Sequence, residues 1–128
     1  MNSYSAVQSY ANVKVHSGVE SASPHRLIQM LFEGALERIA QAKGAMAQNQ
    51  VARKGELIGK AAAIVGGLQG SLNDKEGGKL AANLDNLYDY IIRRLTQANF
   101  ENNPEYLDEC GRLLGEIKTA WDAIANQI

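Results

Sequence analysis

Two histidines, one cysteine and 14 carboxylates are the side chains from which this chain of 128 residues could build a catalytic or metal centre. A di-iron site in a helical protein needs a Glu-x-x-His motif on each of two helices, with further carboxylates pointing inward. Ala22 stands three residues before His25 and Val13 three before His16, so the motif is absent. Both histidines fall at or before the first long helix and are expected on a solvated surface. Cys110 recurs at core spacing in the last apolar stripe. It reads as a buried structural thiol, since a nucleophile wants a nearby base and an electropositive setting. Glu33 and Glu37 are four apart, as are Asp85 and Asp89, and each pair reads as a solvated helix face. Asp89 four before Arg93, and Asp108 four before Arg112, predict helix-surface ion pairs. No Gly-x-x-x-x-Gly-Lys-Ser/Thr phosphate loop occurs, and Gly77-Gly78-Lys79 offers at most a weak anion contact through free amides. The chain therefore reads as a non-enzyme, with no metal and no cofactor.

Composition points the same way. A net charge of −1 and the lack of any long Lys/Arg run exclude a general nucleic-acid binder. One cysteine cannot form an intramolecular disulfide and suits a reducing compartment. Met1-Asn2-Ser3-Tyr4 opens no signal peptide, and no run of about 18 apolar residues predicts a membrane span. These features predict a cytoplasmic protein without membrane insertion. At 45% apolar residues the chain can bury a core of its own.

The elements that would position any site are four amphipathic stretches behind an arm. Residues 1–22 read as an N-terminal arm, a short helix on Tyr4, Val7, Tyr10 and Ala11 followed by a connector. Ser23-Pro24 opens the first long helix, with Ser23 as N-cap and Pro24 at a position that loses no hydrogen bond. Its stripe runs Leu27, Ile28, Leu31, Phe32, Ala35, Leu36, Ile39, Ala42 and Met46, and ends near Asn49-Gln50. The second helix, about 51–72, carries Leu57, Ile58, Ala61, Ile64, Val65, Leu68 and Leu72. Asn73-Asp74 and Gly77-Gly78 predict a loop. The third helix, about 78–99, carries Leu80, Leu84, Leu87, Tyr88, Ile91, Leu95 and Ala98. Asn103-Pro104 repeats the cap and opens the fourth, where Leu107, Cys110, Leu114, Ile117, Trp121, Ile124 and Ile128 alternate steps of three and four. Connections of about 3–8 residues force neighbouring helices antiparallel. Residues 23–128 therefore read as an all-α, up-down-up-down four-helix bundle.

Nine glycines fall inside these helices, each costing about 1 kcal/mol relative to alanine. Three pairs, 55/59, 66/70 and 111/115, are four apart and leave furrows on a helical face. The furrows serve close packing within the bundle, or they admit a partner helix and let the bundle breathe around it.

Two segments carry a family signature: Ser21-Ala22-Ser23-Pro24-His25-Arg26-Leu27-Ile28-Gln29-Met30-Leu31-Phe32-Glu33-Gly34-Ala35, and Leu87-Tyr88-Asp89-Tyr90-Ile91-Ile92-Arg93-Arg94-Leu95-Thr96-Gln97-Ala98-Asn99. With Tyr10 and Val13, the Lys75-Glu76-Gly77-Gly78 turn and the late Trp121, the chain resembles the flagellin export chaperone family (FliS) along essentially its whole length. Phe32 stands where many members carry Tyr. The resemblance implies a chaperone of the bacterial cytosol that binds the C-terminal segment of flagellin, prevents premature polymerisation and delivers it to the flagellar type III export apparatus. It also implies that Val7 and Tyr10 belong to an arm that meets the partner or the export gate and can lie over part of the client surface.

The residues support such a role in one respect. The apolar stripes are wider than a single seam needs: helix one offers Ile28 and Phe32 beside Leu27 and Leu31, and helix three offers Ile92 beside Ile91. One edge can close the core and the other can line a groove for a partner helix. Burial of about 1,000 Å² of apolar surface gives roughly 25 kcal/mol gross, much of it cancelled by ordering the client. Helical geometry nominates Ile64, Leu68, Leu72, Leu84, Leu87 and Ile91 as partner-binding residues. The alternative is a bundle that dimerises or acts as an adaptor through its wide apolar face, a homodimer with no flagellin client.

Overall fold

Capping chemistry sets where the helices begin. In the computed structural model, which describes residues 22–72 and 74–125 and their side chains except those of 74–76, Ser23 Oγ accepts from the Arg26 amide at 3.1 Å. Pro24 follows in the first turn, and α1 runs Pro24–Ala47. Asn103 does the same for the last helix, its Oδ1 accepting from the Glu105 amide at 2.9 Å ahead of Pro104. The four helices are α1 (Pro24–Ala47), α2 (Val51–Gly70), α3 (Asp74–Glu101) and α4 (Pro104–Ala123). Each of α1–α2, α2–α3, α3–α4 and α1–α4 is in contact, which closes an antiparallel four-helix bundle. Residues 1–21, with Val7, Tyr10 and His16, and residues 126–128, with Ile128, lie outside the described residues.

The α1–α2 and α3–α4 corners are built alike. α1 and α3 each end at an asparagine with positive φ, Asn49 at 57° and Asn102 at 54°. In each, the following amide reaches back five residues, Gln50 to the Ala45 carbonyl at 2.9 Å and Asn103 to the Ala98 carbonyl at 3.1 Å. Asparagine tolerates the left-handed region because its short amide can bond locally, and the backward bond satisfies a carbonyl the ending helix leaves free.

The α2–α3 connection differs from the expected loop. α2 ends at Gly70, helix resumes at Asp74, and the new helix is interrupted at Gly78, with φ 54° and ψ −128°. Only glycine takes that conformation without strain. Gly77 is needed for a second reason: a Cβ there would stand 2.6 Å from the Ala81 Cβ.

The core follows the predicted stripes. Leu31, Phe32, Val65, Leu68, Ile91, Leu95, Leu107, Cys110 and Leu114 are its most deeply buried large side chains. Burial of the Cys110 thiol raises its pKa to about 12, consistent with a structural role. Close packing accounts for Gly34 and Gly67, which are buried. It does not account for Gly44, Gly59, Gly66 or Gly115, where an added Cβ would meet nothing within 4 Å.

Several surface expectations are corrected. Asp108 pairs with Lys43 of α1 at 2.7 Å instead of with Arg112, which turns to Glu116 at 3.7 Å. Arg93 donates to the Asp89 backbone carbonyl at 3.4 Å, while the Asp89 and Asp85 carboxylates both accept from Gln69 of α2, at 2.7 and 2.9 Å. Glu33 lies on an exposed face as expected, and there it pairs with Arg26 at 2.8 Å. For the Asp108 and Asp89 carboxylates, a partner arriving from a neighbouring helix outcompetes the predicted arginine four residues off.

Candidate functional site

Burial along the helices is graded, and the gradient makes the site. In α4, Leu107, Cys110 and Leu114 are fully buried, whereas Ile117, Trp121 and Ile124 beyond them are only partly covered. In α3, Ile91, Leu95 and Ala98 are fully buried, while Leu84 is half-buried and Leu80 is 66% exposed. Leu72 at the end of α2 and Ile28 at the start of α1 are likewise half-covered. All of these positions lie toward the end of the bundle that holds the α2–α3 connection, the start of α1 and the end of α4.

There the apolar surface forms a groove of about 610 Å³. Ile28 and Phe32 of α1, Leu68, Ser71 and Leu72 at the end of α2, and Leu80, Leu84 and Tyr88 of α3 form three of its sides. Glu116, Ile117, Ala120, Trp121 and Ile124 of α4 form the fourth. Burial raises the pKa of the Tyr88 phenol to about 12, so its hydroxyl stays protonated at any physiological pH.

One mouth of the groove is braced by a cluster that ties the start of α1 to the end of α4. The Trp121 indole donates to the His25 carbonyl at 3.0 Å. Gln29 donates to Asp122 at 2.8 Å and Lys118 to the same carboxylate at 2.6 Å. Those two donors hold the Asp122 carboxyl below its ordinary value, Lys118 contributing most. His25 departs from its expected solvated position. Its ring stacks on Trp121, centroids 4.5 Å apart and planes 10° from parallel. Both ring nitrogens are buried without a hydrogen-bond partner among the described residues.

Of the nominated partner-binding residues, the structure brings Leu68, Leu72 and Leu84 together in the groove. Ile64 and Leu87 pack half-buried against the core and do not line it. Ile91 is 0% exposed and belongs to the core, because the wide stripe of α3 turns that edge inward. Val7 and Tyr10 lie outside the described residues. Sequence reasoning missed the contribution of α4. Its regular seam reads as pure core, and nothing in the pattern marks where the neighbouring helices stop covering it.

The arrangement is suited to holding apolar side chains. Among the described residues no group of three or more His, Cys, Asp and Glu could hold a metal ion, and no helix is long and apolar enough to cross a membrane. On the α3–α4 face a second polar set stands apart from the groove. Arg94 binds Glu109 at 2.7 Å and lies over the Tyr106 ring at 4.0 Å, while Tyr90 donates to Glu109 at 2.7 Å. Arg94 first, then Tyr90, hold the Glu109 carboxyl below its ordinary value.

Comparison with known proteins agrees with these features. The chain is 49% identical over 126 residues to a flagellar secretion chaperone FliSB of Pseudomonas aeruginosa, covering 98% of this chain and all of the relative. It is 45% identical over 119 residues to the flagellar secretion chaperone FliS of Vibrio cholerae, covering 93% and 88% of the two chains. It is 44% identical over 126 residues to that of Salmonella typhimurium, covering 98% and 93%. The family model described as flagellar protein FliS matches residues 6–128. An all-helical bundle with an open apolar groove, matched to this family over nearly its full length, belongs to the FliS family of flagellar secretion chaperones.

Proposed function

We propose that this chain is a cytosolic export chaperone that binds the C-terminal segment of flagellin in the groove between the start of α1, the end of α2, the first half of α3 and the end of α4. It keeps that segment from polymerising early and delivers it to the flagellar export gate. The observation that carries the reading is one apolar cavity around which Leu80 is exposed and Leu84, Leu72 and Ile28 are only partly covered. Apolar surface held open in this way is costly to a protein with no partner for it. An amphipathic segment laid with its apolar face down covers it, the helix-in-groove mode.

Residues 1–22 act as a separate arm in this reading, with Val7 and Tyr10 meeting the client or the gate. No nucleotide-binding pattern is present in the sequence, so unloading is driven by the export machinery. The test is a calorimetric titration of the purified chain with a synthetic flagellin C-terminal segment. Stoichiometric binding supports the client reading. Absence of heat at saturating peptide, with concentration-dependent self-association instead, would favour the dimerising bundle.

A further inference from the structure

One group in the groove does not match its surroundings. Tyr88 is 3% exposed and lines the groove beside Phe32, Leu68 and Leu84. Its hydroxyl makes no hydrogen bond among the described residues, yet it is not sealed off as the His25 nitrogens are, so it opens onto the groove. Of the other polar groups of the groove, Glu116 is an exposed carboxylate at its rim, paired with Arg112 at 3.7 Å, and the rest are committed. Ser71 Oγ donates to the Leu68 carbonyl at 2.7 Å, and the Trp121 indole is bound to His25. Two residues along the same helix, Tyr90 shows the usual outcome for a tyrosine, donating to Glu109 at 2.7 Å. A phenylalanine at position 88 would fill the same space without leaving a phenol short of a partner.

We infer that Tyr88 is the specificity-determining residue of the groove: its hydroxyl bonds one polar side chain set within the apolar face of the guest helix. This rests on the client reading above. A helical guest satisfies its own backbone, so the partner of Tyr88 has to be a side chain. Ser, Thr, Asn or Gln within the apolar stripe supplies it. A guest with leucine there strands the hydroxyl in a dry site, and a site built around a hydrogen bond rejects a ligand that cannot make it. The protonated state of the phenol keeps the donor available. The groove thus selects for a marked amphipathic helix over any greasy one.

The experiment is a double-mutant cycle by calorimetry on the full chain, wild type and Tyr88→Phe, against the flagellin C-terminal segment and its single Ser, Thr, Asn and Gln→Ala variants. Tyr88→Phe is expected to weaken binding about fivefold to tenfold, while the thermal midpoint of the free protein stays level or rises. One peptide substitution is expected to cost the same factor against wild type and nothing further against Tyr88→Phe. Equal affinity of the two proteins overturns the inference and leaves the client reading standing. Additive losses for every peptide variant, or a midpoint that falls with the affinity, also overturn it. No binding by wild type removes the client reading itself, and this inference with it.

Discussion

The two ends of the bundle are finished in opposite ways. At the end holding the α1–α2 and α3–α4 corners, Lys54 is 6% exposed and donates to the Asn99 carbonyl at 3.1 Å and to Asn102 Oδ1 at 3.0 Å. A buried ammonium there caps the negative end of the α3 dipole and fastens α2 to it. The left-handed asparagines turn the chain tightly, and the apolar residues just inside, Leu57, Leu95, Ala98 and Leu107, are sealed, while Val51 and Phe100 stand on the outer surface without forming an apolar cavity. At the other end the connection breaks at a glycine, the stripes run past the core, and apolar side chains face open space. One end fixes the frame so that the other can leave surface uncovered.

That contrast can be broken from either side. The largest effect is expected at the open end. Leu72→Asp with Leu84→Asp puts two charges into the groove and should lower affinity for the flagellin segment by at least about 100-fold, near 3 kcal/mol. Both side chains are partly buried at the edge of the core, outside its fully buried set, so circular dichroism should show the helices intact. Unchanged affinity would move the client elsewhere. Next comes Lys54→Ala at the closed end. It removes two charge-assisted bonds from a buried site and should cost about 2 kcal/mol in denaturant unfolding, with peptide affinity unaltered. A loss of affinity there would mean that the two ends communicate.

Smaller effects sharpen the division. Gly59 is exposed on α2 with nothing within 4 Å of an added Cβ. Gly59→Ala should therefore stabilise the protein by up to about 1 kcal/mol. If affinity falls at the same time, the soft helix serves the client; if it does not, the glycine is only tolerated. The smallest effect belongs to the α3–α4 face. Glu109 has a folded pKa below its ordinary value, so its contribution is complete above that ordinary value and is lost as pH falls through the lower, folded one. Thermal midpoints between about pH 6 and pH 3 should decline less steeply for Glu109→Gln than for wild type.

Much of the frame was legible in the residues. Ser23-Pro24 and Asn103-Pro104 fixed two helix starts, because a capping side chain followed by proline is a local code that needs no tertiary help. The four stripes fixed the bundle and named nearly all its core. The loop at 73–78 was legible only in part: helix already resumes at Asp74, but the glycine signal marks a real interruption at Gly78. The surface pairs at Asp89 and Asp108 were missed for a related reason. Spacing along one helix cannot see Gln69 or Lys43 arriving from another.

The candidate site was legible only in part, and the part that failed shows where sequence stops. An apolar residue at the right period is committed to burial, and Leu84 and Ile91 are indistinguishable by that criterion. Periodicity fixed that both face inward, since side-chain direction follows from helical geometry alone. Which of them is sealed and which lines a groove depends on where neighbouring helices end, and that depends on four lengths and three connections packed together. The same holds for His25 and Trp121, 96 residues apart in the chain and stacked in the fold. Local periodicity and capping were enough to make the helices and their apolar faces; only packing decided how much of each face was left uncovered.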